Sequence, residues 1–218
     1  LWTGEPIKRA NPEATQYLNQ ARELLFEGEY ETGQKLIHEK IMGKRLEPGL
    51  HTYQTLGNLE FEFEYNNEPI SQYQRQLDLD EGIVVTTFRA RDTSYRREVF
   101  SSTPNQALVM RIDADKAKAV SFGLSLIRER DAKITSTKAG RIIMTGHAGG
   151  GVGVKFATEL QVILDGGSCV VEGNGLRVKD ADSVLIILTA VTDYWGGAPQ
   201  KIVQDQLAKC TKLPYAEM

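Results

Sequence analysis

The chain has 218 residues, with 26 Lys and Arg against 29 Asp and Glu, a formal net charge of −3. That length suits one large domain or two small ones and buries a substantial core without staples. The near balance of charge excludes the one-signed field by which nucleic acid or a membrane surface is usually held, so neither is expected as a partner. The two cysteines, Cys169 and Cys210, are too few for a disulfide framework and lack metal-site spacing. One bridge between them stays open, although Cys169 reads as strand and Cys210 as helix.

No apolar run approaches the roughly 20 residues of a membrane span; the longest, such as VLIIL at 184–188, are short. No signal peptide is visible, and a chain opening at Leu1 has the look of an excised piece, so its compartment is not readable from this end.

In chain order, the first 45 residues read as a helical hairpin, spanning 11–43. Asn11 is placed as an N-cap with Pro12 in the first turn. Ala14, Tyr17, Leu18, Ala21, Leu24 and Leu25 fall at helical spacing before Gly28 stops the helix. A second helix is expected from about Tyr30 to Met42, with Gly43 as terminator. Residues 46–55, LEPGLHTYQT, read as a loop. Beyond it, short alternating segments recur: LEFEFEY, QYQRQLDLD, IVVTTFRA, YRREVFSS, QALVMRID, VSFGLSLI, AKITST, RIIMTG, VGVKFATELQVIL, CVVEG, LRVK and VLIILTAVT. Turn signals divide them, Asn174-Gly175 among the strongest. A dozen strands joined by hairpins imply a mainly β chain of antiparallel sheets packed face to face, and a last helix is expected from Ala198-Pro199 to about Cys210. A single domain over 1–218 is expected, with a linker from about 197.

Several stretches resemble chemistry. In LEFEFEY (59–65), Glu60, Glu62 and Glu64 share one face, roughly 7 Å apart, within the roughly 6.5–9.5 Å between acid and base in an inverting glycosidase. Leu59, Phe61, Phe63 and Tyr65 share the other, so a solvated face over a core face is the better reading of the stretch. GHAGGGVG (146–153) lacks the following helix and Lys-Ser or Lys-Thr pair of a phosphate cradle and reads as a loop between strands. His38, His51 and His147 are not at ligand spacing, and no GxSxG elbow occurs. Asp78, Asp80 and Glu81 read as a strand end running into a turn and not as a calcium loop. No catalytic, metal-binding or cofactor-binding residue is assigned.

LWTGEP, NPEA, LLFEGEY, IMGK, YQTLGNLEFEF, RQLDLDEGIV, SYRREVFSSTPNQALVMRI, GVGVKFATELQVIL and SVLIILTAVTDY, in that order over nearly the whole chain, resemble the N-terminal β-domain of glycoside hydrolase family 95. The resemblance implies a β-super-sandwich attached through a helical linker to an (α/α)6 barrel. The parent would be an inverting exo-glycosidase, chiefly an α-L-fucosidase and in some members an α-L-galactosidase. Its acid and asparagine-assisted base would lie in the barrel, and its substrate would be a fucosylated or galactosylated oligosaccharide. It also suggests a periplasmic or extracellular setting.

Trp2, His51, Tyr53 and Gln54 match segments near the barrel and are candidates for the rim of a sugar pocket. The alternative is that they pack the hairpin or a domain interface. The family carries further strand sequence ahead of its Leu-Trp pair, so the resemblance implies an incomplete sheet edge and self-association through it. A free-standing carbohydrate-binding module is the alternative function. It is weakened by having only Trp2 and Trp195 as tryptophans and no aromatic platform on one strand face. An epimerase-like enzyme on the same fold would need a His and carboxylate constellation that three scattered histidines do not suggest.

Overall fold

The computed structural model describes residues 1–4, 10–43, 51–65 and 69–218. The chain divides into two compact units, residues 4–52 and residues 1–3 with 53–218. The expected loop at 46–55 is described only from 51 onward, and Lys44 of the IMGK segment lies outside the described residues.

The smaller unit is the helical hairpin. Helix α1 spans Ala14–Phe26, and α2 spans Tyr30–Leu36 before passing into a π turn at Ile37–Ile41. The single helix expected to Met42 therefore widens in its last turn, where the Met42 N–H donates to the Ile37 carbonyl at 2.8 Å. Gly28 stops α1 as expected, at φ 83°. Asn11 is not the N-cap. Its Oδ1 accepts from the Glu13 N–H at 3.0 Å, and its amide donates to the Lys40 carbonyl at 2.6 Å, tying the two ends of the hairpin together. Gly33 is buried against α1, where a Cβ would approach Leu25 Cδ2 to 3.2 Å.

The larger unit is a β-sandwich. Its strands are β1 (Asn58–Phe63), β2 (Ile70–Asp78), β3 (Ile83–Ala90), β4 (Thr93–Ser102), β5 (Ala107–Ala114) and β6 (Val120–Ile127). They continue with β7 (Ala132–Thr137), β8 (Arg141–His147), β9 (Lys155–Asp165), β10 (Ser168–Glu172), β11 (Gly175–Ala181) and β12 (Ser183–Thr192). Four form a sheet in the order β1-β6-β11-β10, and eight form a sheet in the order β2-β3-β4-β5-β12-β9-β8-β7, all described pairs being antiparallel. The two-residue turn between β10 and β11 is Gly173-Asn174, one position earlier than expected. Glu172 pairs with Gly175, and Gly173 takes the positive φ of 59° that opens a II′ turn.

Period-2 alternation accounts for the core. Val120, Phe122, Leu124 and Leu126 of β6 point inward, and Ser121, Gly123 and Ser125 point out. They meet Ile142 and Met144 of β8, Phe156, Leu160 and Val162 of β9, and Val184 and Ile186 of β12. The other face of β12 is covered as well. Ile187 packs with Val109, Leu207 and Cys210, because helix α4 (Pro199–Cys210) lies across that side. Burial on both faces is why VLIIL reads as a continuous apolar run. The cysteines are unpaired, Cys210 in the α4 contact and Cys169 against the sandwich core, so the bridge left open above is not formed.

β1 settles the LEFEFEY stretch. Leu59, Phe61 and Phe63 pack inward, Phe63 and Tyr65 stack at 5.4 Å, and Phe122 tilts against Phe61 and Phe63 at 5.4 and 5.3 Å. The Arg97 guanidinium caps this row, 3.7 Å from the Phe63 centroid and 4.9 Å from that of Phe88, and donates to the Tyr65 hydroxyl. On the outer face Arg177 of β11 reaches Glu64 at 2.9 Å, Glu172 at 2.8 Å and Glu62 at 3.5 Å. It lies across Gly123, where a Cβ would come within 3.2 Å of its Nη1.

Two outcomes test these contacts. Glu159 of β9 is 1% exposed, and one oxygen is paired with Arg141 at 3.1 Å while the other has no partner. Arg141→Leu is therefore expected to cost about 3 kcal/mol by stranding a buried carboxylate, measured by urea unfolding, and Glu159→Gln in the same background to restore most of it. Burial pushes the Tyr65 hydroxyl up to about 12 from its ordinary 10, against the opposing influence of Arg97. A raised folded value means that this contribution is complete below pH 10 and is lost as pH rises through about 12. The urea midpoint should fall across that window, and Tyr65→Phe should remove this part of the fall.

Candidate functional site

One end of the sandwich gathers the chain's first residues and four connections. Residues 1–3 lie between two segments. Trp2 forms an antiparallel bridge with Tyr53, and the Gln54 N–H donates to the Leu1 carbonyl at 2.7 Å. The Leu1 amino group donates to the Gln54 carbonyl, and the Val154 N–H donates to the Trp2 carbonyl at 3.2 Å. Burial first, and then the nearby Arg128 charge, hold that amino group below its ordinary value.

The Gly-rich stretch has a steric purpose here. It forms a single turn, α3 (Ala148–Gly151), between β8 and β9. A Cβ on Gly153 would lie 2.5 Å from the Trp2 carbonyl oxygen, and one on Gly149 would lie 2.5 Å from that of Thr3. Glycine lets the backbone close on residues 1–3, and no anion cradle is formed. The turn is tied down by Asp131, whose carboxylate accepts from the Gly150 N–H at 3.2 Å, and His147 Nε2 bonds the Gly153 carbonyl at 2.9 Å.

Arg128, which the sequence reading passed over, organises the adjoining cleft. Its guanidinium donates to the carbonyls of Thr55 at 2.6 Å and Leu56 at 3.3 Å and to Gln54 Oε1 at 2.8 Å, and lies 5.0 Å from the Phe156 ring centroid. One side chain thus fixes the strand that leads into β1. The cleft beside it holds about 560 Å³ and is lined by Gln54, Gly57, Glu60, Arg128, Glu129 and Arg130. Glu60 and Glu129 are both exposed. What the cleft offers is mixed charge and hydrogen bonding.

Beside Trp2 the surface is aromatic. Trp2 meets Tyr194 edge-on at 5.9 Å, and Tyr194 meets Trp195 at 4.8 Å with the rings at 86°. Of the rim candidates, the structure brings Trp2, Tyr53 and Gln54 together, and Tyr194, Trp195 and Arg128 lie beside them. His51 belongs to the other unit, where its ring lies against Gly4 so closely that a Cβ there would stand 2.2 Å from His51 Cγ. Among the described residues no group of three or more His, Cys, Asp and Glu is placed to hold a metal ion. A Trp-Gly-Gly sequence after the last strand was the available signal for the exposed aromatics, since Gly196 and Gly197 at φ 87° and 89° mark a turn that presents Trp195.

Sandwich topology and sequence likeness together place this chain among the N-terminal β-sandwich domains of glycosyl hydrolases. Residues 1–197 match the model of the glycosyl hydrolase family 65 N-terminal domain, and the chain belongs to that family. This corrects the resemblance to family 95. The segments that suggested it, such as YRREVF in β4 and GVGVKFATELQVIL reaching through β9, build sheet and core, and such segments identify a kind of domain more readily than the catalytic family to which it is joined.

Among curated proteins, Alpha-L-fucosidase 2 of Arabidopsis thaliana is 27% identical over 253 residues, covering 100% of this chain and 29% of that protein. Probable alpha-fucosidase A of Aspergillus niger is 24% identical over 206 residues, covering 89% of this chain and 25% of that protein. The chain thus spans less than a third of these relatives. A solved structure titled putative kojibiose phosphorylase from human microbiome shares the fold, with a TM-score of 0.51 at 13% identity over 73% of this chain and 25% of that one.

Arg128→Ala is expected to destabilise the protein by about 2–4 kcal/mol, since hydrogen bonds from a charged group contribute about 1.5–3 kcal/mol each and several are lost together. Loss of hydrogen-exchange protection at the Gln54 N–H would report the freed strand. Arg128→Lys should recover less than half of the loss, because an ammonium does not reproduce the planar fork that serves three oxygens.

Proposed function

We propose that this chain is the non-catalytic N-terminal domain of an α-L-fucosidase-like glycoside hydrolase. It serves as a scaffold and as part of the rim of a sugar pocket whose bond-breaking groups belong to an (α/α)6 barrel. The observation that carries the reading is the whole-chain likeness to Alpha-L-fucosidase 2, with the family 65 N-terminal match behind it. The structure supports the division of labour. Glu62 and Glu64 of its carboxylate row are engaged by Arg177, and Glu60 and Glu129 of the end cleft are exposed.

In this reading the domain contributes binding energy and position. Trp2 and Tyr53 offer aromatic surface, and Gln54 and the cleft beyond it offer hydrogen-bonding groups to the hydroxyls of a fucosylated or galactosylated oligosaccharide. Remote contacts of this kind hold a substrate while the reaction proceeds elsewhere.

The test compares the 218-residue chain with the longer enzyme on an aryl α-L-fucoside and on an aryl α-L-galactoside. The chain alone should release no phenol above buffer, and the longer enzyme should cleave the fucoside. Turnover by the chain alone that disappears in Glu60→Gln or Glu62→Gln would overturn the non-catalytic assignment, and inertness of the longer enzyme on fucosides would overturn the substrate.

A further inference from the structure

The aromatic side chains at the loop end form a row. Residues directly opposite in an antiparallel bridge project to the same side, so Tyr53 and Trp2 stand next to each other. Trp2 abuts Tyr194, and Tyr194 abuts Trp195. The order is Tyr53, Trp2, Tyr194, Trp195, and the two ends are 83% and 92% exposed. Trp2 also packs against the sandwich core, so the solvent-facing aromatic surface of the row is that of Tyr53, Tyr194 and Trp195.

The row is held rigidly. The Asp193 carboxylate accepts from the Lys155 N–H at 2.8 Å, the Asp193 N–H returns a bond to the Lys155 carbonyl at 3.0 Å, and the Gly196 N–H closes the turn on the Asp193 carbonyl at 2.8 Å. Gly197 follows at a place where a Cβ would come within 3.0 Å of Ile202 Cδ1. At the other end the row continues through Gln54 into the cleft of Glu60, Arg128, Glu129 and Arg130.

Resting on the reading above, we propose that Tyr53, Trp2, Tyr194 and Trp195 form a glycan-binding strip that holds the sugars of an oligosaccharide outside the bond to be cleaved. A pyranose ring presents a face of C–H groups that stacks on an aromatic ring while its hydroxyls stay at the rim, within reach of polar neighbours. A row one ring wide, leading into a polar cleft, suits a linear chain of such rings better than the broad apolar patch of a protein interface. Two cations beside two anions in the cleft provide no field for a polyanion, so the ligand class is a neutral oligosaccharide.

The test is an NMR titration of the 218-residue chain, following the indole N–H signals of Trp2 and Trp195. Three ligands are used: free L-fucose, a neutral tetrasaccharide with a terminal α-fucosyl group, and the same glycan without the fucose. Both tetrasaccharides should shift both indoles and bind at least about tenfold more tightly than fucose, because several contacts replace one. Trp195→Ala should weaken tetrasaccharide binding about tenfold with no change in melting temperature, and Trp195→Phe should keep most of the affinity.

Unmoved indoles, equal affinity for fucose and tetrasaccharide, or an unaltered affinity in Trp195→Ala would overturn the strip. So would shielding of Trp195 from acrylamide quenching in the longer enzyme, which would assign the row to contact with another domain. Cleavage of aryl fucosides without strip binding would remove the strip and leave the proposed function standing. Strip binding in an enzyme inert on fucosides would do the reverse.

Discussion

The layer of apolar side chains around Phe122 is the contact on which the rest of the molecule depends. Phe122 is fully buried between the sheets, touching the aromatic face of β1 on its own sheet and belonging to the same core as Ile142, Leu160 and Ile186 of the other. Because β1 and β6 of the four-stranded sheet alternate strictly, the outer face there is left for charge, and Arg177 gathers three glutamates on it. Because the eight-stranded sheet is covered on both sides at its centre, β12 and β9 form a stiff platform, and the connections at their ends inherit that stiffness. The cleft and the aromatic row are built on those connections.

Much of the fold was legible. Period-2 patterning located the strands from Ile83–Ala90 to Ser183–Thr192 closely, and the apolar spacing of Ile202, Val203, Leu207 and Cys210 located α4. These are local signals, carried within a few residues of one another. The π turn at Ile37–Ile41, the true role of Asn11 and the hairpin turn at Gly173-Asn174 were missed or shifted because caps and turns are decided by one or two hydrogen bonds.

The site was legible only in part, for a different physical reason. Trp2, Tyr53 and Gln54 could be picked out as a group only through likeness to other proteins, since 50 residues of chain separate Trp2 from Tyr53 in the numbering. Arg128, Arg97 and Arg177 left no mark at all. Each is one arginine among many in the text, and its meaning comes from carbonyls, rings or carboxylates supplied by remote strands. Likeness of scaffold segments also has a limit, shown by the family 65 match. Strands that build a core identify the kind of domain and not a catalytic family.

The placement of β6 has a consequence for how the molecule is made. Its sequence neighbours β5 and β7 belong to the opposite sheet, and its own partners are β1, far earlier in the chain, and β11, far later. Pairings of such long separation close large loops before any contact rewards them, which slows folding. The small sheet cannot be completed until residue 181 has left the ribosome. During synthesis the aromatic face of β1 must therefore wait for β6, and the glutamates alternating with it keep the waiting strand soluble.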